Sequence, residues 1–410
     1  MTLPDDFWWG TGASATQTEG AAPASDWFRW EQAGRAPRSG DGNEFWRRYA
    51  DDFGLLADFG LTHHRLTLDW ARLEPEPDRH DPAVIEHYLD VLKTARDAGI
   101  NIWAGLHHTT LPGWFSENEG GFVDDRGRTY LWPRHVDWMA ETFGDLVFGW
   151  VPIHEPGEFA TRGWRTATSP PGVADPEQFA LALRATHLAD HEAWRLLQSG
   201  EQPVMAIHHL TPIRPGVTSR HPDELAAAER EASAADDLVW AWTRTLRDGV
   251  LEIPGLATRE IPDMAGSFDL VGFTYSGAHT VYADGHTGPY PADAPADLTG
   301  DAPWPEGLGL TVRRLAEELP GRPLVVAGLG VATDDDAWRT DVLRNSLTQI
   351  EAAVDDGIDL RGAFHRTGID SYEWEHGFDA PCGLFDRDRA PRESAEMARA
   401  WATRSRNVPG

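Results

Sequence analysis

Titratable and aromatic side chains gather at the ends of short apolar runs in this sequence. Gln17 and Glu19 follow the first run, His63, His64, Arg65 and Asp69 fall in the second, His107 and His108 close the third, and His154 and Glu155 close the fourth. Later runs end on His208 and His209, on Tyr275, on Gly328, and on His365 and Arg366, with Asp370, Glu373 and Trp374 shortly after. Glu155 precedes a proline and sits among tryptophans and histidines, a setting in which partial burial favours the protonated carboxyl and suits a general acid. The plainer reading is that Glu155 only pairs with Arg65 or a histidine. Glu373 beside Trp374 has the makings of a sugar-binding edge, with an indole face over C–H groups and a carboxylate accepting from hydroxyls.

Bringing these groups together requires a scaffold that collects strand ends. Eight apolar runs alternate with amphipathic stretches: FWWGTGAS from Phe7, THHRLTLDW from Thr62, NIWAGLHH from Asn101, VFGWVPIHEP from Val147, PVMAIHHL from Pro203, FDLVGFTYS from Phe268, RPLVVAGLG from Arg322 and DLRGAFHRTGID from Asp359. Between them lie segments such as NEFWRRYADDFGLLADFG and DPAVIEHYLDVLKTARDAG, apolar at helical spacing and stopped by glycine. The pattern predicts an α/β fold, a single (β/α)8 TIM barrel over residues 1–410, whose site forms at the C-terminal ends of the strands. A Pro/Gly/Asp-rich segment at about 283–305 reads as a long rim loop after the sixth strand.

Composition narrows the partners. The formal charge of −30, with Lys93 the sole lysine, opposes nucleic acid and anionic membranes. No apolar run long enough to span a bilayer is present, and MTLPDDFWWG carries acids where a signal peptide needs a basic end, so a cytoplasmic protein is expected. The one cysteine, Cys382, forms no internal disulfide and is expected to serve packing. The oligomeric state is not legible.

With these residues in view, the chain resembles the family 1 glycoside hydrolases, the β-glucosidase and β-galactosidase group, from Phe7 to about Arg389. The matching stretches are FWWGTGASATQTEG, HHRLTLDWARLEP, LHHTTLPGWF, WVPIHEP, FDLVGFTYS, GVATDDDAWR and GIDSYEWEHGF. The resemblance implies that Gln17, His108, Glu373 and Trp374 hold sugar hydroxyls, that Glu155 is the acid/base, and that Arg65 lies beside the nucleophile. It implies a small-molecule glycoside or oligosaccharide as the ligand.

The departures fall around one subsite. The family's nucleophile is the Glu of a Thr-Glu-Asn-Gly motif, and here Ala327, Gly328, Leu329 and Gly330 stand in its place. The motif Asn before the acid is His154, the tyrosine that would contact the nucleophile is Ser276 with Tyr275 one residue earlier, and two family tryptophans are Thr109 and Arg366. Arg366 points either to an anionic group on the ligand or to an ion pair with Glu373 or Asp370.

A retaining glycosidase needs two carboxyls about 5 to 5.5 Å apart, so with glycine at 328 standard retaining β-glucosidase activity is not expected. Three readings remain open. In the first, Glu155 is the acid of a water-based, inverting glycosidase whose base is Asp69, Asp334 or a histidine, although the acidic run from Asp334 also reads as a helix cap. In the second, His154 removes the C2 proton in an elimination, helped by an oxidised C3 or a metal. In the third, the chain is a sugar-binding pseudoenzyme. No cofactor is expected; a metal held by His64, His108, His154, His209 and His365 is the less favoured alternative.

Overall fold

The computed structural model describes residues 3–216 and 222–404. Its eight barrel strands are β1 (Trp8–Ala13), β2 (His63–Thr67), β3 (Asn101–His107), β4 (Gly149–Ile153), β5 (Met205–His209), β6 (Leu270–Tyr275), β7 (Leu324–Leu329) and β8 (Leu360–His365). Each expected run supplies one of them. They are all parallel and lie in the order β4-β3-β2-β1-β8-β7-β6-β5. The row closes where Trp150 pairs with Val204 and His154 with Ile207, joining β4 to β5.

Strands covered on both faces need apolar residues at nearly every position. All residues of β4 and β7 are accordingly buried. Trp103, Val151, Met205, Ile207, Leu270, Val325, Ala327 and Phe364 form the cluster that fills the barrel. The outward faces pack on helices such as Pro82–Asp97, Pro176–Leu197 and Asp336–Asp355, each started by an aspartate whose carboxylate accepts two backbone N–H groups: Asp81, Asp175 and Asp335. Among the described residues no helix is long and apolar enough to cross a membrane.

The segment expected to be a plain rim loop holds a strand. Thr287–Tyr290 pairs antiparallel with Ala278–Val281, which pairs in parallel with Ile213–Pro215. The sequence TGPY lacks alternating apolar residues, so its strand character comes from its hydrogen-bonding partner and not from periodicity. The rest of the segment is tied to the end of β7, because Leu298 N–H donates to Ala332 O at 2.9 Å and Ala332 N–H to Asp297 Oδ2 at 3.0 Å.

One irregularity positions the site. The β6–β7 pairing matches Val326 with Phe273 and then Gly328 with Thr274, so Ala327 is the extra residue of a bulge. A bulge re-aims the residues after it. Here it brings position 328 to face Thr274 at the barrel mouth.

Candidate active site

Glu155 is separated from the end of β4 by His154 alone and opens the short helix Pro156–Ala160. Its backbone is left-handed, at φ 52° and ψ 62°, and its N–H donates to Ile207 O at 3.0 Å. The strand-to-helix reversal thereby pins the residue across the closing seam of the barrel. Its carboxylate accepts from the Thr274 hydroxyl. With that proton directed at Glu155, the threonine oxygen accepts in turn from His209 Nδ1 at 3.1 Å. His154 Nε2 lies 3.6 Å from the same oxygen, Oε1.

Thr274 also occupies the space facing Gly328. A Cβ built on that glycine would lie 2.9 Å from Thr274 Cγ2 and 3.4 Å from its Cβ. The barrel end at β7 therefore presents backbone and a threonine methyl, with no carboxylate.

Arg65, on β2, is buried. Its Nη1 meets His108 Nδ1 at 3.2 Å, while Nε has no hydrogen-bond partner among the described residues. Gly12 lets the side chain pass over β1, since a Cβ there would fall 3.0 Å from Arg65 Cβ and 3.1 Å from Nε and Nη2. Burial lowers the guanidinium to about 10, opposed by the charge of Glu155. The rings of His108 and His154 lie 4.1 Å apart, and burial, reinforced by the charge of Arg65, holds both well below the usual histidine range. Both imidazoles are thus neutral near pH 7.

Glu373 and Trp374 are buried near this group: His108 and Trp374 have ring centroids 6.1 Å apart, and Trp374 packs edge-on against Trp27 at 4.7 Å. Arg366 donates to Glu373 Oε2 at 2.9 Å, an ion pair among those expected for it, and Asp370 pairs instead with Arg392. Gln17 is buried in a capping box, where its Oε1 accepts from the Ser14 N–H and hydroxyl, each at 3.1 Å.

Tyr275 does not join the site. Alternation along β6 turns Thr274 inward and Tyr275 outward, and the tyrosine hydroxyl donates to Trp304 O at 2.7 Å. Neither proposed aspartate base is available either. Asp69 caps the turn Trp70–Leu73 and pairs with Arg72 at 3.7 Å, and Asp334 is exposed at the helix start that Asp335 caps. Of the histidines weighed as ligands, His108 and His154 lie together, whereas His64 Nδ1 bonds Thr11 Oγ1 at 2.8 Å and His365 Nδ1 bonds Thr367 O at 2.7 Å. Among the described residues no group of three or more His, Cys, Asp or Glu side chains converges on a metal position.

Three residues of the site were not anticipated. Thr274 was hidden inside an apolar strand, and only its register with Gly328 reveals it. Glu158, one helical turn after Glu155, is raised above the ordinary glutamate range by burial and lies within electrostatic reach of His209, Arg162, Glu155 and Asp301. Arg162 stacks over Trp374 with its guanidinium carbon 5.8 Å from the ring and pairs with Glu375 at 3.2 Å. The i, i+3 spacing of the two glutamates was the available signal for Glu158.

Comparison with known proteins covers the whole barrel. Residues 1–404 match the profile of "Glycosyl hydrolase family 1". The chain is 28% identical over 438 aligned positions to thermostable beta-glucosidase B of Thermobispora bispora, covering 96% of this chain and 89% of that protein. A beta-glycosidase from Pyrococcus horikoshii superposes with a TM-score of 0.90 at 26% identity, over 100% of this chain and 96% of the other. The fold of a Thermotoga maritima beta-glucosidase solved in complex with glucoimidazole also matches, with a TM-score of 0.88 at 19% identity, covering 98% and 99% of the two chains.

Proposed function

Because the chain belongs to glycosyl hydrolase family 1, matched over residues 1–404, we propose that its barrel mouth binds the sugar of a β-linked glycoside or small oligosaccharide. In this reading Glu155 delivers a proton to the leaving oxygen, and the reaction forms no covalent bond to β7. The relatives named above, a beta-glucosidase and a beta-glycosidase, support the substrate class. Gln17, His108, Glu373 and Trp374 line the sugar side.

The carrying observation is the placement of Thr274: its hydroxyl holds the Glu155 carboxylate while its methyl fills the approach to Gly328. In this reading the one carboxyl placed at the mouth is Glu155, no attacking carboxylate stands at position 328, and water is the nucleophile. Direct attack by water gives inversion at the anomeric carbon. Glu158, one helical turn after Glu155, is a second carboxyl near this end of the barrel, and burial raises its proton affinity. His154 is poorly suited to the base role in an elimination, since burial and Arg65 both oppose the imidazolium it would become.

A second reading, sugar binding without turnover, is favoured by the glycine itself together with the Arg366–Glu373 ion pair, which occupies part of the sugar-side carboxylate. Turnover of a panel of aryl β-glycosides by the intact chain and by Glu155→Gln separates the two. Turnover that depends on Glu155 and releases the inverted anomer supports the enzyme. Sugar binding with no turnover supports the binder, and a first product with retained configuration overturns the water route.

A further inference from the structure

We propose that Arg65 is the floor of an anion site that takes a carboxylate, either free in solution or carried as a substituent on the sugar ligand. Among the described residues Arg65 is a buried cation with an unpartnered Nε, and the hydrogen bond it makes goes to an imidazole nitrogen. A chain with 66 acidic residues against 36 Lys and Arg has carboxylates to spare, yet none of the described ones pairs with this guanidinium. Among the described residues Glu155 is the acid whose charge acts on it, and it does so without a direct pair.

The neighbours sharpen the imbalance. His108 and His154 are neutral, the Glu155 carboxylate is engaged by Thr274, and Glu373 is taken by Arg366. Position 328 has no side chain to offer. Burying a cation without a counter-charge is costly, and the molecule can lower that cost by recruiting an anion. A carboxylate fits a guanidinium best, because its two oxygens match the fork of N–H donors. Gly12 keeps one flank of Arg65 free of any side chain, since a Cβ there would lie 3.1 Å from both Nε and Nη2.

The test uses thermal unfolding of the full chain titrated with sodium formate, compared with Arg65→Gln in the same salt. A saturable rise in Tm on the order of 3 °C at about a hundred times Kd is expected in the wild type and none in Arg65→Gln. The variant removes an uncompensated charge, so without formate it is expected to melt no lower than the wild type. Arg65→Lys, which keeps the charge, is expected to keep a weaker response. No response in the wild type, or an equal response in Arg65→Gln, overturns the site. Calorimetric titration with glucuronate and glucose then identifies the source of the anion. A preference for glucuronate of about tenfold or more, one charge-assisted pair's worth, that disappears in Arg65→Gln supports a carboxylate on the sugar; formate binding without that preference supports a free anion. Neither measurement needs turnover, so both stand whether or not the chain proves to be a glycosidase.

Discussion

Thr274 and Gly328 face one another across the β6–β7 pairing, and a Cβ built on the glycine would lie 2.9 Å from the threonine Cγ2. The position cannot be refilled by a single substitution without moving its neighbour. Gly328→Glu alone is expected to lose about 1–3 kcal/mol of stability from overpacking, measured by urea unfolding. Adding Thr274→Ser removes the methyl and keeps the hydroxyl for Glu155, so the double variant should recover most of that loss. A product of retained configuration is expected from the double variant only. A single variant as stable as the wild type would show that the mouth of the barrel yields more easily than this contact implies.

Glu155→Gln keeps the shape of the side chain and removes the proton donor. For glycosides with poor leaving groups, kcat/KM should fall by about 10²- to 10⁴-fold, the usual worth of a positioned acid. Affinity for a non-reacting sugar should change little, because the sugar-side residues are untouched. Unaltered kinetics would remove Glu155 from the chemistry.

Arg366 and Glu373 form a largely buried pair at 2.9 Å. Arg366→Leu leaves the carboxylate without its partner and is expected to cost about 3 kcal/mol. Combined with Glu373→Gln, the loss should shrink, giving a coupling of about 1–3 kcal/mol in a double-mutant cycle. Additive losses would mean that the pair contributes nothing beyond its two members.

Asp26 offers a pH test. Burial raises its carboxyl from 3.8 to about 7, while its Oδ1 accepts from the Trp27 and Leu111 N–H groups at 2.7 and 3.0 Å. Between those two pH values the folded chain keeps a proton that the unfolded chain has released. The contribution of Asp26 to stability therefore falls as pH rises from about 4 to about 7 and is level above that window. Asp26→Asn keeps the accepting oxygen and cannot ionise, so its advantage over the wild type should grow across the window, with about 4 kcal/mol as the ceiling for a shift of three pH units. Urea unfolding at pH 4.5, 6 and 8 checks this; a difference that does not vary with pH would contradict the burial argument.

The barrel was legible because its strands are apolar on both faces and its helices carry their own start signals. Asp335, capping Asp336–Asp355, is a case where the acidic run means what a cap means. The site was legible where a residue type is itself chemical, as with Glu155, Arg65 and Trp374. It was not legible where meaning comes from pairing. Thr274 matters because a bulge at Ala327 sets it opposite a glycine, and Tyr275 drops out because the same strand turns it away. The strand Thr287–Tyr290 escaped notice for a related reason, since its order is supplied by Ala278–Val281 and not by its own composition.

The backbone at Glu155 bears on what keeps this residue in the chain. At φ 52° a side chain other than glycine or asparagine is disfavoured by roughly 1–2 kcal/mol. Folding alone would choose glycine there, so random substitution under selection for stability alone would pull position 155 away from glutamate. Two contacts hold the glutamate against that preference, the Thr274 hydroxyl on its carboxylate and the Ile207 carbonyl on its N–H.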